Sequence, residues 1–165
     1  MTTVLNRDSI KVKRDLQKRV ENWVAEYCDA LEENFKQYSI RSYKTNINNP
    51  SEVSKGYTSY YEEQLQKIED GTANLYKFDY QVGKNYIKVF NLQYQESCDY
   101  YNRPAGYRAG SVTAFIDKQT GEVYKPASWK APAKHVRYDL RLIKDREFLH
   151  NSANTDWAGG HLYMR

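Results

Sequence analysis

From Asp8 to Gln37 the apolar side chains Leu16, Val20, Trp23, Tyr27, Leu31 and Phe35 recur at steps of three or four. That spacing places them on one stripe and predicts a single long amphipathic helix. Lys13, Arg14, Lys18, Glu21, Glu32 and Glu33 fall mainly off the stripe. Basic residues come first and acidic ones last, the reverse of what the helix dipole favours, so packing or a partner must hold the helix. The basic start reads as a solvated face, with an exposed basic arm as the functional alternative. Ser39 to Asn49 is polar and predicts a loop. Asn49-Pro50-Ser51-Glu52 is a helix start: a capping side chain, a proline suited to the first position and a glutamate three residues after the cap. Tyr57, Tyr60, Tyr61, Leu65 and Ile68 continue at helical spacing, Gly56 is a break point, and Gly71 is a stop.

The period then drops to two. Tyr76, Phe78, Tyr80 and Val82 alternate with Lys77, Asp79 and Gln81, which predicts a half-buried strand. Gly83-Lys84-Asn85 turns the chain into a second strand, Tyr86 to Leu92, with Ile87 and Val89 on one face and Tyr86, Lys88 and Phe90 on the other. Gln93 to Gly110 is aromatic, polar and interrupted by Pro104 and Gly106, and predicts a long loop. Ser111 to Ile116 is a strand, Asp117 to Glu122 a turn in which Gly121 supplies positive φ, and Val123 to Lys125 the returning strand. Pro126 and Pro132 make the stretch up to Lys134 extended or turn-like. A short helix is expected within Arg137 to His150, a turn at 156–160, and a final short strand at His161 to Met164. The fold class is therefore α+β: N-terminal amphipathic helices on an antiparallel sheet made of two hairpins. One domain spans 1–165, mainly helical over 1–72 and β-rich over 73–165.

Composition changes this picture in two places. Leu, Ile, Val and Phe make up only 19% of the 165 residues, too few for an ordinary core, but 16 tyrosines supply apolar bodies with polar tips. No run of apolar residues is long enough for a membrane span, and Met1 to Lys11 lacks the apolar centre of a secretion leader. Cys28 and Cys98 are far apart and outside any metal-binding spacing, which reads as two free thiols in a reducing cytoplasm. The net charge is +4, and residues 81–165 hold 13 cations against eight anions. Lys125, Lys130, Lys134, Arg137 and Arg141 face Asp139 alone within 123–141, a local excess that points to an anionic partner.

Residues 112–134, VTAFIDKQTGEVYKPASWKAPAK, resemble a signature of small uncharacterised proteins of tailed bacteriophages, marine ones of cyanophage type among them. Residues 83–89, GKNYIKV, and 156–163, DWAGGHLY, resemble companion elements of the same proteins. The resemblance covers roughly residues 76–165. It implies a phage origin and a host-cytoplasm setting, and it carries over no catalytic residue.

Motifs for enzymatic chemistry are sparse. There is no phosphate-cradling glycine loop and no nucleophile elbow, and His135, His150 and His161 lack metal-ligand spacing. Glu32-Glu33, Glu62-Glu63 and Glu69-Asp70 read as solvated charge. Asp79, Asp99, Asp117, Glu122 and Lys125 form a nuclease-like set only if two hairpins bring them together. No cofactor is expected, and an enzyme is the class with least support.

The remaining chemistry is a basic aromatic surface. Tyr124, Lys125, Trp129, Lys130, Lys134 and Arg137 alternate rings with cations, and Arg103, Tyr107 and Arg108 can join them. Single strands are bound in this way, with cations on phosphates and rings on bases. The structural alternative is that Trp129 only plugs the end of the sheet. The expected function is a non-catalytic protein binding single-stranded nucleic acid or a nucleotide. The alternatives are a host-takeover or counter-defence protein that binds a host protein or sequesters a signalling nucleotide, and a virion or assembly component. The sequence leaves the oligomeric state open.

Overall fold

The structure, a computed structural model, describes residues 2–164, with side chains from Ser9 onward. The reading of Met1 to Lys11 as lacking a leader falls partly outside the described residues. Helix α1 spans Thr2–Ile47, about 69 Å at 1.5 Å per residue. Residues 9–15 are exposed. Packing begins at Leu16, and Val20, Val24, Tyr27 and Leu31 are fully buried, which is the predicted stripe widened by Val24 and Cys28. Each such side chain contributes roughly 1.5–3 kcal/mol on burial.

The expected loop at Ser39 to Asn49 is, as far as Ile47, instead the last turns of α1. No glycine or proline interrupts the chain before Pro50, and the polar residues bond back onto their own helix. Ser39 Oγ donates to the Phe35 carbonyl at 2.9 Å and Thr45 Oγ1 to that of Arg41 at 2.9 Å. Tyr43 also meets Tyr61 of the next helical layer, with ring centres 6.1 Å apart. Helix α2, Pro50–Ser54, starts as predicted, with Asn49 accepting from the Ser51 N–H at 3.0 Å. Gly56, at φ 76°, breaks the helix, and α3, Thr58–Asp70, ends on Gly71 at φ 74°.

Five strands follow: β1 Lys77–Val82, β2 Tyr86–Gln95, β3 Gly106–Asp117, β4 Glu122–Tyr124 and β5 Tyr138–Asp139. They form one sheet in sequence order, every pair antiparallel. The two expected hairpins are present, and β2 pairs β3 to join them. The inner face presents Phe78, Ile87, Val89, Ala114, Ile116 and Val123 to α1. Helix α4, Ile143–His150, closes one side, and Leu140, Leu149 and Leu162 complete the core. No described helix is long and apolar enough to cross a membrane.

Two further expectations are corrected. Much of the predicted loop Gln93–Gly110 is strand, because Gln93 to Gln95 pair with Gly106 to Arg108. Register shifts between Val89 and Phe90 and between Phe90 and Leu92 put extra residues in β3 and hide the period of two. Gly110 leaves room there, since a Cβ would force the side-chain ends of Asn91 and Gln93 to shift. The predicted final strand at His161 to Met164 is a short 3₁₀ turn, Gly160–Leu162, entered through Gly159 at φ 84°. The carbonyl of Leu162 is taken by Arg137 Nε at 2.6 Å, a side-chain bond in place of a strand pairing.

Candidate nucleic-acid interface

Alternation along β2 turns Ile87 and Val89 inward, so Tyr86, Lys88 and Phe90 point to the outer face. Tyr86 meets Phe115 and Tyr124 edge-on, at 6.2 and 6.0 Å between ring centres. The Tyr124 hydroxyl donates to Glu122 Oε2 at 2.8 Å, and that bond, with some burial, pushes its pKa up to about 12. After β4 the chain doubles back. The Ala133 N–H donates to the Lys125 carbonyl at 2.7 Å, and Pro126 lies opposite Pro132. This arm lays Trp129 on Phe90, 6.1 Å between ring centres, with Lys88 Nζ 4.6 Å above the indole. Trp129 remains 43% exposed. The ring is thus packed on one side and open on another.

Lys84, Lys88 and Lys130 line a concavity of about 300 Å³ with Tyr86 and Phe115. Among the described residues none of these three lysines has an ion-pair partner. Lys118 from the neighbouring turn donates to the Gly83 carbonyl at 3.0 Å and steadies the rim. Sequence reasoning missed Lys84 and Lys88. The parity of Lys88 with Tyr86 and Phe90 was a visible signal; its meeting with Trp129, 41 residues on, was not.

Of the predicted site residues, the structure brings Tyr124, Trp129 and Lys130 to this face. Lys125 follows Tyr124 in register and turns the other way, its Nζ 4.4 Å over the Tyr163 ring. Lys134 is exposed on the bend. Arg137 is a brace, donating to the carbonyls of Leu162, Lys134 and His135. Arg108 pairs with Gln93, about 17 Å along β2 from Lys88, and donates to the Pro104 carbonyl. Tyr107 donates to the Leu75 carbonyl at 2.9 Å. Arg103 pairs with Cys98 in the distant loop between β2 and β3.

The nuclease-like set does not converge. Asp99 lies in that distant loop, and Lys125 faces away. Asp117 caps its own turn through the Gln119 and Thr120 N–H groups. Glu122 accepts from Tyr124 and pairs with Arg141 at 3.6 Å. Among the described residues no three His, Cys, Asp or Glu side chains gather as a metal site. Both cysteines are free thiols, Cys28 buried and Cys98 half-buried.

No curated protein and no solved structure matches the chain. A family model does match, over residues 7–164, nearly the whole length. The chain therefore belongs to DUF7717, a family of unknown function.

Proposed function

We propose that the protein binds single-stranded nucleic acid on the outer face of its sheet and performs no chemistry on it. The observation that carries this reading is Lys88 seated over the half-exposed Trp129, beside Lys84 and Lys130, all three ammonium groups without carboxylate partners among the described residues. Cations track phosphates while the indole and Tyr124 offer rings to bases. The resemblance to tailed-phage proteins supports a setting in the cytoplasm of an infected host.

The test is fluorescence anisotropy of labelled oligonucleotides across a salt series. Affinity should fall with salt, and the triple variant Lys84→Ala, Lys88→Ala, Lys130→Ala should lower the slope of log K against log[salt] by about 2, at ~0.7 per phosphate contact. A flat, salt-insensitive signal from the natural protein would remove the reading.

A second reading has its own observation. Tyr100 and Tyr101, side by side in the loop between β2 and β3, are 87% and 72% exposed. Exposed tyrosines of this kind suit a protein partner, in line with a host-directed or counter-defence role. A Tyr100→Ser, Tyr101→Ser variant should then lose capture of that partner and keep oligonucleotide binding.

A further inference from the structure

The opposite face of the sheet carries a second cavity. Beyond the end of the core, residues of β2 and β3, the chain leaving β4 and the C-terminal turn line a cavity of about 420 Å³. Small-ligand pockets fall in this range. Tyr76, Trp157 and Tyr163 supply aromatic walls, Lys125 lies at the rim, and no carboxylate lines the space. The lining therefore has a net positive charge.

Two polar side chains of that lining are more than nine-tenths buried, Asn91 at 5% exposed and Thr113 at 6%. Asn91 Oδ1 accepts from the Ser111 N–H at 3.0 Å and from Gln93 Nε2 at 3.1 Å. Those bonds fix which way round the amide sits, because a backbone N–H can only donate. The Nδ2 end is left over, and among the described residues it has no hydrogen-bond partner; nor has the Thr113 hydroxyl. Both groups line the cavity and neither is sealed from solvent, so a molecule entering the cavity can replace water as their hydrogen-bond partner.

We propose that this cavity binds a nucleoside monophosphate: a planar ring against Trp157 and Tyr76, ring or sugar acceptors on Asn91 Nδ2 and the Thr113 hydroxyl, and the phosphate on Lys125. Its volume has room for base, sugar and phosphate. Tyr163 keeps the Lys125 ammonium at the rim by a cation–π contact of 4.4 Å, so the charge is held in place before the ligand arrives. The site lies across the sheet from Trp129 and stands independently of the oligonucleotide interface. A free nucleotide and the terminal nucleotide of a longer strand present the same chemistry, and oligonucleotides with and without a terminal phosphate distinguish them.

The experiment is calorimetric titration of the full chain with AMP, GMP, CMP, UMP, the matching uncharged nucleosides and aromatic carboxylates, then with the two kinds of oligonucleotide. At least one monophosphate should bind at sub-millimolar concentration, and its nucleoside about tenfold more weakly, as expected for one charged contact. Lys125→Met should erase that tenfold difference, and Thr113→Val should weaken both ligands, each variant keeping its thermal midpoint within a few degrees. The Lys88→Ala, Lys130→Ala variant should bind the monophosphate as the natural protein does. No binding of any monophosphate at millimolar concentration would overturn the proposal. So would a monophosphate-over-nucleoside preference that survives Lys125→Met, or binding that is lost with Lys88 and Lys130 or matched by the aromatic carboxylates.

Discussion

His161 Nε2 stands 2.6 Å from the hydroxyl of Tyr27, joining the C-terminal turn to the middle of α1 across 134 residues of sequence. Its other nitrogen, Nδ1, accepts from the Asp156 N–H at 3.1 Å. A backbone N–H only donates, so the neutral ring carries its proton on Nε2 and gives it to Tyr27. Burial holds the His161 pKa down at about 4, from an ordinary 6.5, although the nearby Asp156 charge pulls it upward.

A pH dependence of stability follows. The folded pKa of a base is depressed, so the unfolded chain takes up the proton first as pH falls. Stability from this residue is intact above pH 6.5 and is lost between 6.5 and about 4, by about 3 kcal/mol at most. Urea unfolding midpoints measured across that window should slope downward toward acid. His161→Gln should flatten the slope, and an unchanged slope in that variant would refute the assignment.

Gly110→Ala tests the bulged strand. A Cβ at this position meets the Asn91 and Gln93 side chains, and Asn91 is the acceptor for the Ser111 N–H. Overpacking of this kind costs roughly 1–3 kcal/mol. Denaturant unfolding should show that loss, and β3 amides near Ser111 should exchange faster. A variant as stable as the natural protein would show that the neighbours yield freely.

Arg137→Lys separates a brace from a binding residue. The guanidinium fork holds three carbonyls, two on its own bend and one on the C-terminal turn. A lysine cannot span that set, so the thermal midpoint should fall, by about 1–3 kcal/mol of stability. Oligonucleotide affinity should stay where it was. Loss of affinity at unchanged stability would return Arg137 to the interface.

Trp129→Ala should weaken oligonucleotide binding by about 1–3 kcal/mol, the worth of one stacked base, and Trp129→Phe should recover most of it. Because the ring is 43% exposed, the change in folding stability should be small beside a core truncation such as Leu31→Ala, about 2–5 kcal/mol. Anisotropy and thermal melts on the same samples decide between the two effects. Equal affinity for the alanine variant would mean that the indole only covers Phe90.

Local chemistry was legible wherever it acts within a few residues. The apolar stripe of α1, the Asn49 cap, the stops at Gly56 and Gly71, and both hairpin turns were all readable, because each depends on neighbouring side chains and backbone sterics. The continuation of α1 to Ile47 was not, since polar residues that return their hydrogen bonds to the helix look like loop residues in a list of letters. The arms of β2 and β3 were hidden for a related reason: bulges break alternation, and only the partner strand shows that the pairing resumes.

The candidate site divides along the same line. The sequence alone determined that rings and cations are interleaved near Trp129, and strand parity determined that Lys88 shares a face with Tyr86 and Phe90. Only tertiary structure decided which of these groups meet. It folded the 125–134 arm over the outer face, put Lys88 on the indole, sent Lys125 through to the other side and tied Arg137 to the chain end. Side-chain direction within a strand follows from a period of two, whereas the meeting of residues some 40 positions apart follows from packing, and packing is a property of the whole core.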